Sequence, residues 1–199
     1  MFARNKIRII KAATFLLACV PLAKMAVDAL TGNLGANPIE MVLNRLGFWT
    51  LTFLALSLIP TPVHDWLHVA WPIKVRRMLG LFAFAYATLH MLWYAGVDQL
   101  FDLHLLAEDA TKRKFMAVGF IAWLFLVPLA VTSTDGWVRR LGYLRWKRLH
   151  RLAYVVAVLG TIHFFWREKA DTSRPFLFAA VFGLLFLVRA VTYFRSQTS

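Results

Sequence analysis

LRWKRLHRLAYVVAVLGTIHFFW, residues 144–166, decides how this chain is read. Its first third is crowded with Arg145, Lys147, Arg148 and Arg151, and after Arg151 no Asp, Glu, Lys or Arg follows until Arg167. One membrane crossing takes roughly 20 residues, and lysine and arginine collect at cytoplasmic ends of spans. An apolar run entered through a basic cluster therefore predicts a membrane-spanning helix near 149–166. Its two histidines, His150 near the start and His163 near the end, are the groups in it able to ligate a metal or move a proton.

Working outward, five more apolar runs stand near 9–30, 46–63, 79–97, 115–132 and 176–194. The 199 residues are 60% hydrophobic and 17% charged, against about 45–50% and about 25% in an ordinary soluble domain. That excludes a soluble globular domain and a disordered chain. It predicts an all-α, polytopic integral membrane bundle of six transmembrane helices, with 1–199 forming a single transmembrane domain. The first run carries Pro21 and Lys24, and its basic lead (Arg4, Lys6, Arg8, Lys11) also suits a signal peptide. The apolar stretch is long and no clean small-residue cleavage site follows, so it is read as a span. The stretch 99–107 is expected to form a short helix on the outer surface.

Cys19 is the one cysteine, which excludes an intramolecular disulfide framework and any cysteine-based zinc or iron–sulfur site. The net charge of +13 sits at the ends of the apolar runs. It therefore points to topology and anionic lipid rather than to nucleic acid. With the N-terminus in the cytoplasm, the 23 basic residues divide 15 to the inner flanks and 8 to the outer ones. The outer eight are Lys24, Arg45, Lys112, Arg113, Lys114, Arg167, Lys169 and Arg174. The split predicts both termini in the cytoplasm, with the cluster Lys112–Lys114 running against it. No internal repeat, GxGxxG or P-loop is visible, so no dinucleotide site is expected.

Ligand-capable groups inside a membrane are costly and mark function by default. His90 lies about two-thirds along the third span, which runs in the same direction as the fifth because one span separates them. His90 and His163 both fall toward the outer ends of their helices. At matched depth they would face each other, the arrangement that clamps a haem iron between two imidazoles. His150 lies 13 residues before His163, about 20 Å along a helix, near the cytoplasmic face. Arg77 stands at the matching depth on the third span. A 13-residue step leaves two side chains about 140° apart, so a shared site needs a bend near Gly160 or the use of different faces.

Other readings stay open on the residues alone. Intramembrane histidines also serve as hydrogen-bonded packing residues. As a proton or metal-ion relay they would call for carboxylate companions, and spans three to five carry none. His64, His68 and His104 lie in loops or at span ends and are read as solvated. The basic side chains Arg76, Arg77, Arg145, Arg148 and Arg151 could meet haem propionates or a flavin phosphate, although topology explains them equally well.

Four segments carry a resemblance: RRMLGLFAFAYATLH (76–90), the 144–166 stretch, NLGANP (33–38) and VTST (131–134). Over almost its whole length the chain resembles the haem-binding membrane subunits of periplasmic protein-methionine-sulfoxide reductase systems, within the ferric-reductase-like transmembrane proteins. The ferric-reductase-like core would cover about 46–166. The resemblance implies a multi-pass b-type cytochrome of the bacterial inner membrane, carrying haem b and, by family attribution, FMN. The family's haem-ligand histidines fall on His90, His150 and His163. Larger relatives have a second histidine in the third span where this chain has Arg77, so one haem is expected and a second rests on His150. Asn37 stands where an acidic residue is expected. The implied role is that of an electron-transfer subunit rather than the catalytic one. Electrons would come from the quinone pool or a cytoplasmic flavin reductase. They would go to a periplasmic molybdenum-containing subunit that reduces methionine sulfoxide.

Overall fold

The computed structural model describes residues 2–168 and 171–198; Lys169, counted above among the outer basic residues, lies outside them, as does the side chain of Arg4. Among the described residues there is helix and no strand. Six helical stretches are long and apolar enough to cross a membrane: Asn5–Leu30, Pro38–Leu67, Ile73–Asp98, Lys114–Val131, Tyr143–Arg167 and Ser173–Arg195. The reason is solvent. Backbone N–H and C=O groups in hydrocarbon must be satisfied within their own segment, and the α-helix does this without a partner strand. The chain forms two compact units, Met1–Leu100 and Phe101–Ser199.

The first unit holds α1 (Phe2–Leu30), α2 (Pro38–Leu58), α3 (Pro60–Leu67) and α4 (Ile73–Trp93). A π-helical turn, Tyr94–Asp98, continues α4. α2 starts at Pro38, eight residues before the expected 46, at a capping signal. The Asn37 side chain accepts from the Glu40 N–H at 3.2 Å and donates to the Glu40 carboxylate at 3.0 Å, and Pro38 occupies the first helical position. This is an asparagine N-cap with proline at the first helical position; the Asn37 carbonyl oxygen accepts as an acidic residue there would, while its amide adds a bond to Glu40 that a carboxylate could not donate.

α4 packs along α2, and α1 packs on α4. Tyr86 and Ala83 of α4 are fully buried. The Tyr86 ring lies 5.0 Å from that of Phe53 on α2, and its hydroxyl donates to the Ala18 carbonyl of α1 at 2.8 Å. One side chain thus ties three helices together. Phe15 of α1 meets Phe82 of α4 at 5.4 Å. Lys24, awkward in an apolar run, is explained by Asp28 one turn later, which accepts from Lys24 at 3.1 Å and also pairs with Arg45 of α2.

The second unit holds α5 (Leu103–Lys112), α6 (Lys114–Val131), α7 (Asp135–Leu141), α8 (Tyr143–Leu149), α9 (Leu152–Arg167) and α10 (Ser173–Thr198). α5 is the short helix expected near 99–107, placed a few residues later. Asp102 caps it, accepting from the N–H groups of His104 and Leu105. Lys112 and Arg113 are paired to Glu108 and Asp109 on the same helix. α6 packs along α9, and α10 packs on α9 through Phe164–Phe178 and Tyr154–Phe186 ring contacts. In both units large apolar side chains such as Leu16, Leu17, Leu184 and Leu187 point outward. That is the surface expected where the solvent is lipid.

Candidate haem-ligand histidines

Each unit builds one histidine in the same way. In the first, α4 carries His90 against α2 at Gly47. The imidazole lies over this glycine without needing the space of a side chain: a Cβ on Gly47 would stand 3.4 Å from Cε1 of His90, an ordinary contact. One turn back on α2, the Leu43 carbonyl lies 2.9 Å from His90 Nδ1. A carbonyl oxygen only accepts, so the imidazole donates and the ring proton resides on Nδ1. In a neutral ring the lone pair is then on Nε2, the form that binds a metal. Trp93, one turn beyond His90, donates its indole N–H to the Ile39 carbonyl of α2 at 3.2 Å. The α2–α4 register is thereby held at the histidine and one turn beyond it. The π-helical turn follows at once: the Tyr94 N–H is shared between the carbonyls of His90 and Met91. Such widened turns recur at functional sites.

In the second unit, α9 carries His163 against α6 at Gly119. The Phe115 carbonyl, one turn back on α6, lies 2.7 Å from His163 Nδ1. The Phe115 ring lies 5.9 Å from the imidazole. The proton is again on Nδ1 and the lone pair on Nε2. A glycine, the carbonyl four residues before it and a histidine at nearly the same interval after it (47 to 90, and 119 to 163) thus occur twice. Sequence inspection missed this repeat because only the two glycines and two histidines carry it. The one signal available was the nearly equal spacing.

His150 is held differently. The helix expected to run through it is interrupted there. α8 ends at Leu149 and α9 begins at Leu152, with His150 and Arg151 in the turn between them. The irregular turn therefore falls at His150–Arg151, where the backbone stays in the right-handed helical region, whereas Gly160 lies inside α9. His150 Nε2 lies 3.1 Å from Thr132 Oγ1, and that hydroxyl lies 2.6 Å from the Pro128 carbonyl. The carbonyl takes the hydroxyl proton, so the hydroxyl oxygen accepts from His150 and the proton is on Nε2. Trp146 closes the arrangement, with its ring 4.0 Å from the imidazole and its N–H donating to the Thr132 carbonyl at 2.9 Å. The segment VTST thereby acquires roles: Thr132 holds His150 and Trp146, and Thr134 caps α7 by accepting from the Trp137 N–H.

The donor chemistry fits a haem at two positions and differs at the third. His90 and His163 are tethered at Nδ1, which in the neutral ring leaves the lone pair on Nε2, the second-sphere pattern of ligating histidines. His150 would offer Nε2 only on release from Thr132. Arg77 is exposed near the start of α4, and the neighbouring Arg76 donates to the Thr61 hydroxyl at 3.0 Å. His64, His68 and His104 are exposed, in keeping with their solvated reading.

Comparison with known proteins identifies the family. The family described as "Ferric reductase like transmembrane component" matches residues 46–161. A Rhodospirillum rubrum protein named "Protein-methionine-sulfoxide reductase heme-binding subunit MsrQ" is 46% identical over 98% of this chain and 94% of its own length. A protein of the same name from Herminiimonas arsenicoxydans is 45% identical, covering 92% of this chain and 85% of its own. Another from Deinococcus radiodurans is 44% identical over 87% and 85%.

Proposed function

We propose a function on one premise: the chain belongs to the MsrQ family, the haem-binding subunits of protein-methionine-sulfoxide reductase, within the ferric-reductase-like transmembrane proteins. It is a multi-pass membrane protein with an electron-transfer role beside a methionine-sulfoxide reductase catalytic subunit. The finer reading is a b-type cytochrome of the inner membrane with both termini in the cytoplasm. His90 and His163 ligate haem b. His150 serves a second haem, and Arg77 lies at the propionate or flavin end. FMN is the further cofactor the family suggests. The donor is the quinone pool or a cytoplasmic flavin reductase, and the acceptor is a periplasmic molybdenum-containing subunit.

The observation that carries the reading is the tethered imidazole found twice. When bound, haem supplies a one-electron ferric/ferrous couple. The residues do the rest. The Leu43 and Phe115 carbonyls keep a proton on Nδ1 of each histidine and so keep Nε2 basic. The packed α2–α4 and α6–α9 faces and the Nδ1 bonds limit the rings' rotation, with both rings half-buried. Burial and the tether are the means by which this chain would tune a potential.

The test is a visible spectrum of the detergent-purified protein, oxidised and then reduced, with haem quantified per chain. Wild type is expected to show a low-spin b-type spectrum. His90→Ala and His163→Ala are each expected to lose most of it, and His150→Ala is expected to lose a part. A folded, colourless protein that cannot be reconstituted with haem would overturn the assignment and make the histidine-relay transporter the leading reading.

A further inference from the structure

We propose that Gly119 is the positioning residue for His163: the missing side chain at this place on α6 is what lets the imidazole of α9 lie on the helix and reach the Phe115 carbonyl. The argument begins with what a side chain would meet. A Cβ on Gly119 would stand 2.6 Å from Nδ1 of His163, 2.8 Å from Cε1 and 3.3 Å from Cγ. Non-bonded carbon contacts are best at about 3.5–4.0 Å, so a methyl group and this ring position exclude each other. All three nearest atoms belong to the histidine ring and none to a backbone. The glycine therefore makes room for the imidazole rather than for a close approach of helices, the commoner use of small residues between transmembrane helices.

The bond that depends on this room is the one from Nδ1 to the Phe115 carbonyl, 2.7 Å. Displacing the ring breaks it, and with it goes the restraint that keeps the proton on Nδ1 and the lone pair on Nε2. Gly47 supplies an internal comparison. The equivalent Cβ would meet His90 at 3.4 and 3.5 Å, both atoms of the ring, which is ordinary contact. The same Gly→Ala change is therefore predicted to have unequal effects: incompatible with His163 as placed, and tolerated beside His90.

The haem consequence rests on the proposed function; the packing consequence does not, and the experiment separates them. Full-length wild type, Gly119→Ala, Gly47→Ala, His163→Ala and the double variant Gly119→Ala/His163→Ala are purified in detergent. Haem per chain, the reduced-minus-oxidised spectrum and thermal unfolding are recorded. Gly119→Ala is expected to lose the low-spin signal to the extent that His163→Ala does, while Gly47→Ala keeps wild-type haem and spectrum. In unfolding, Gly119→Ala is expected to lower the midpoint in the wild-type background, although alanine is the better helix former. With the ring gone, in His163→Ala, the same change is expected to be neutral or stabilising. An equal loss in both backgrounds, or wild-type haem and spectrum in Gly119→Ala, would overturn the proposal. If wild type binds no haem, the cofactor assignment fails and the unfolding cycle still decides the role of Gly119.

Discussion

His150 shows how much one hydroxyl can decide. The Thr132 oxygen receives the His150 proton because the same hydroxyl's own proton is committed to the Pro128 carbonyl. Thr132 is buried, so a hydrocarbon replacement leaves His150 without this acceptor. Thr132→Val is expected to lower the unfolding free energy by about 1 kcal/mol. Thr132→Ser should retain most of it, as read by denaturant or thermal melts in detergent. His90 and His163 were legible as candidates because a histidine inside an apolar run is conspicuous. Their carbonyl partners were not legible, because a backbone oxygen is offered by every residue and only packing selects Leu43 and Phe115.

At the scale of elements, α1 is held by two kinds of link. Tyr86 of α4 donates to a carbonyl in the middle of α1, and Asp28 near the end of α1 pairs with Arg45 of α2. Tyr86→Phe keeps the ring contacts and removes one hydrogen bond. A loss of about 0.5–1.5 kcal/mol in unfolding free energy is expected. Asp28→Asn keeps the shape and removes the charge that faces Arg45 and Lys24, leaving two cations without their shared counter-charge. It is expected to loosen the α1–α2 connection, read as faster proteolytic cleavage within 31–37 under conditions where wild type resists. The spans themselves were legible from hydropathy, with ends displaced by several residues. α2, for instance, begins at Pro38 against an expected 46, because polar Glu40, Asn44 and Arg45 lie inside the helix. The interruption at His150–Arg151 was not legible, since a basic, leucine-containing stretch suits a continuous helix.

For the whole molecule, the distribution of basic residues is the argument for orientation. It predicts that 33–36 and 104 face the periplasm and that 74 and 145 face the cytoplasm. Single cysteines placed at Asn33, His104, Lys74 and Arg145 in a Cys19→Ala background test this in intact cells. An impermeant maleimide is expected to label the first two and to reach the others only after lysis. The reverse pattern would invert the electron path. The Lys112–Lys114 cluster makes this a real test, because it places three cations on the side where the rule expects few.

Sequence alone determined that the chain is helical, that it crosses a membrane with six candidate spans, and which histidines lie within apolar runs. Hydropathy and charge are properties of consecutive residues, so they survive in one dimension. The tertiary structure decided which nitrogen of His90, His150 and His163 meets its oxygen partner, that Gly47 and Gly119 face the rings, and that Thr132 supplies the oxygen that His150 meets. Those depend on which turn of one helix lies against which turn of another. That register is set by side-chain volume and hydrogen-bond reach between residues nearly 50 positions apart at His90–Leu43 and His163–Phe115, so no local pattern could record it.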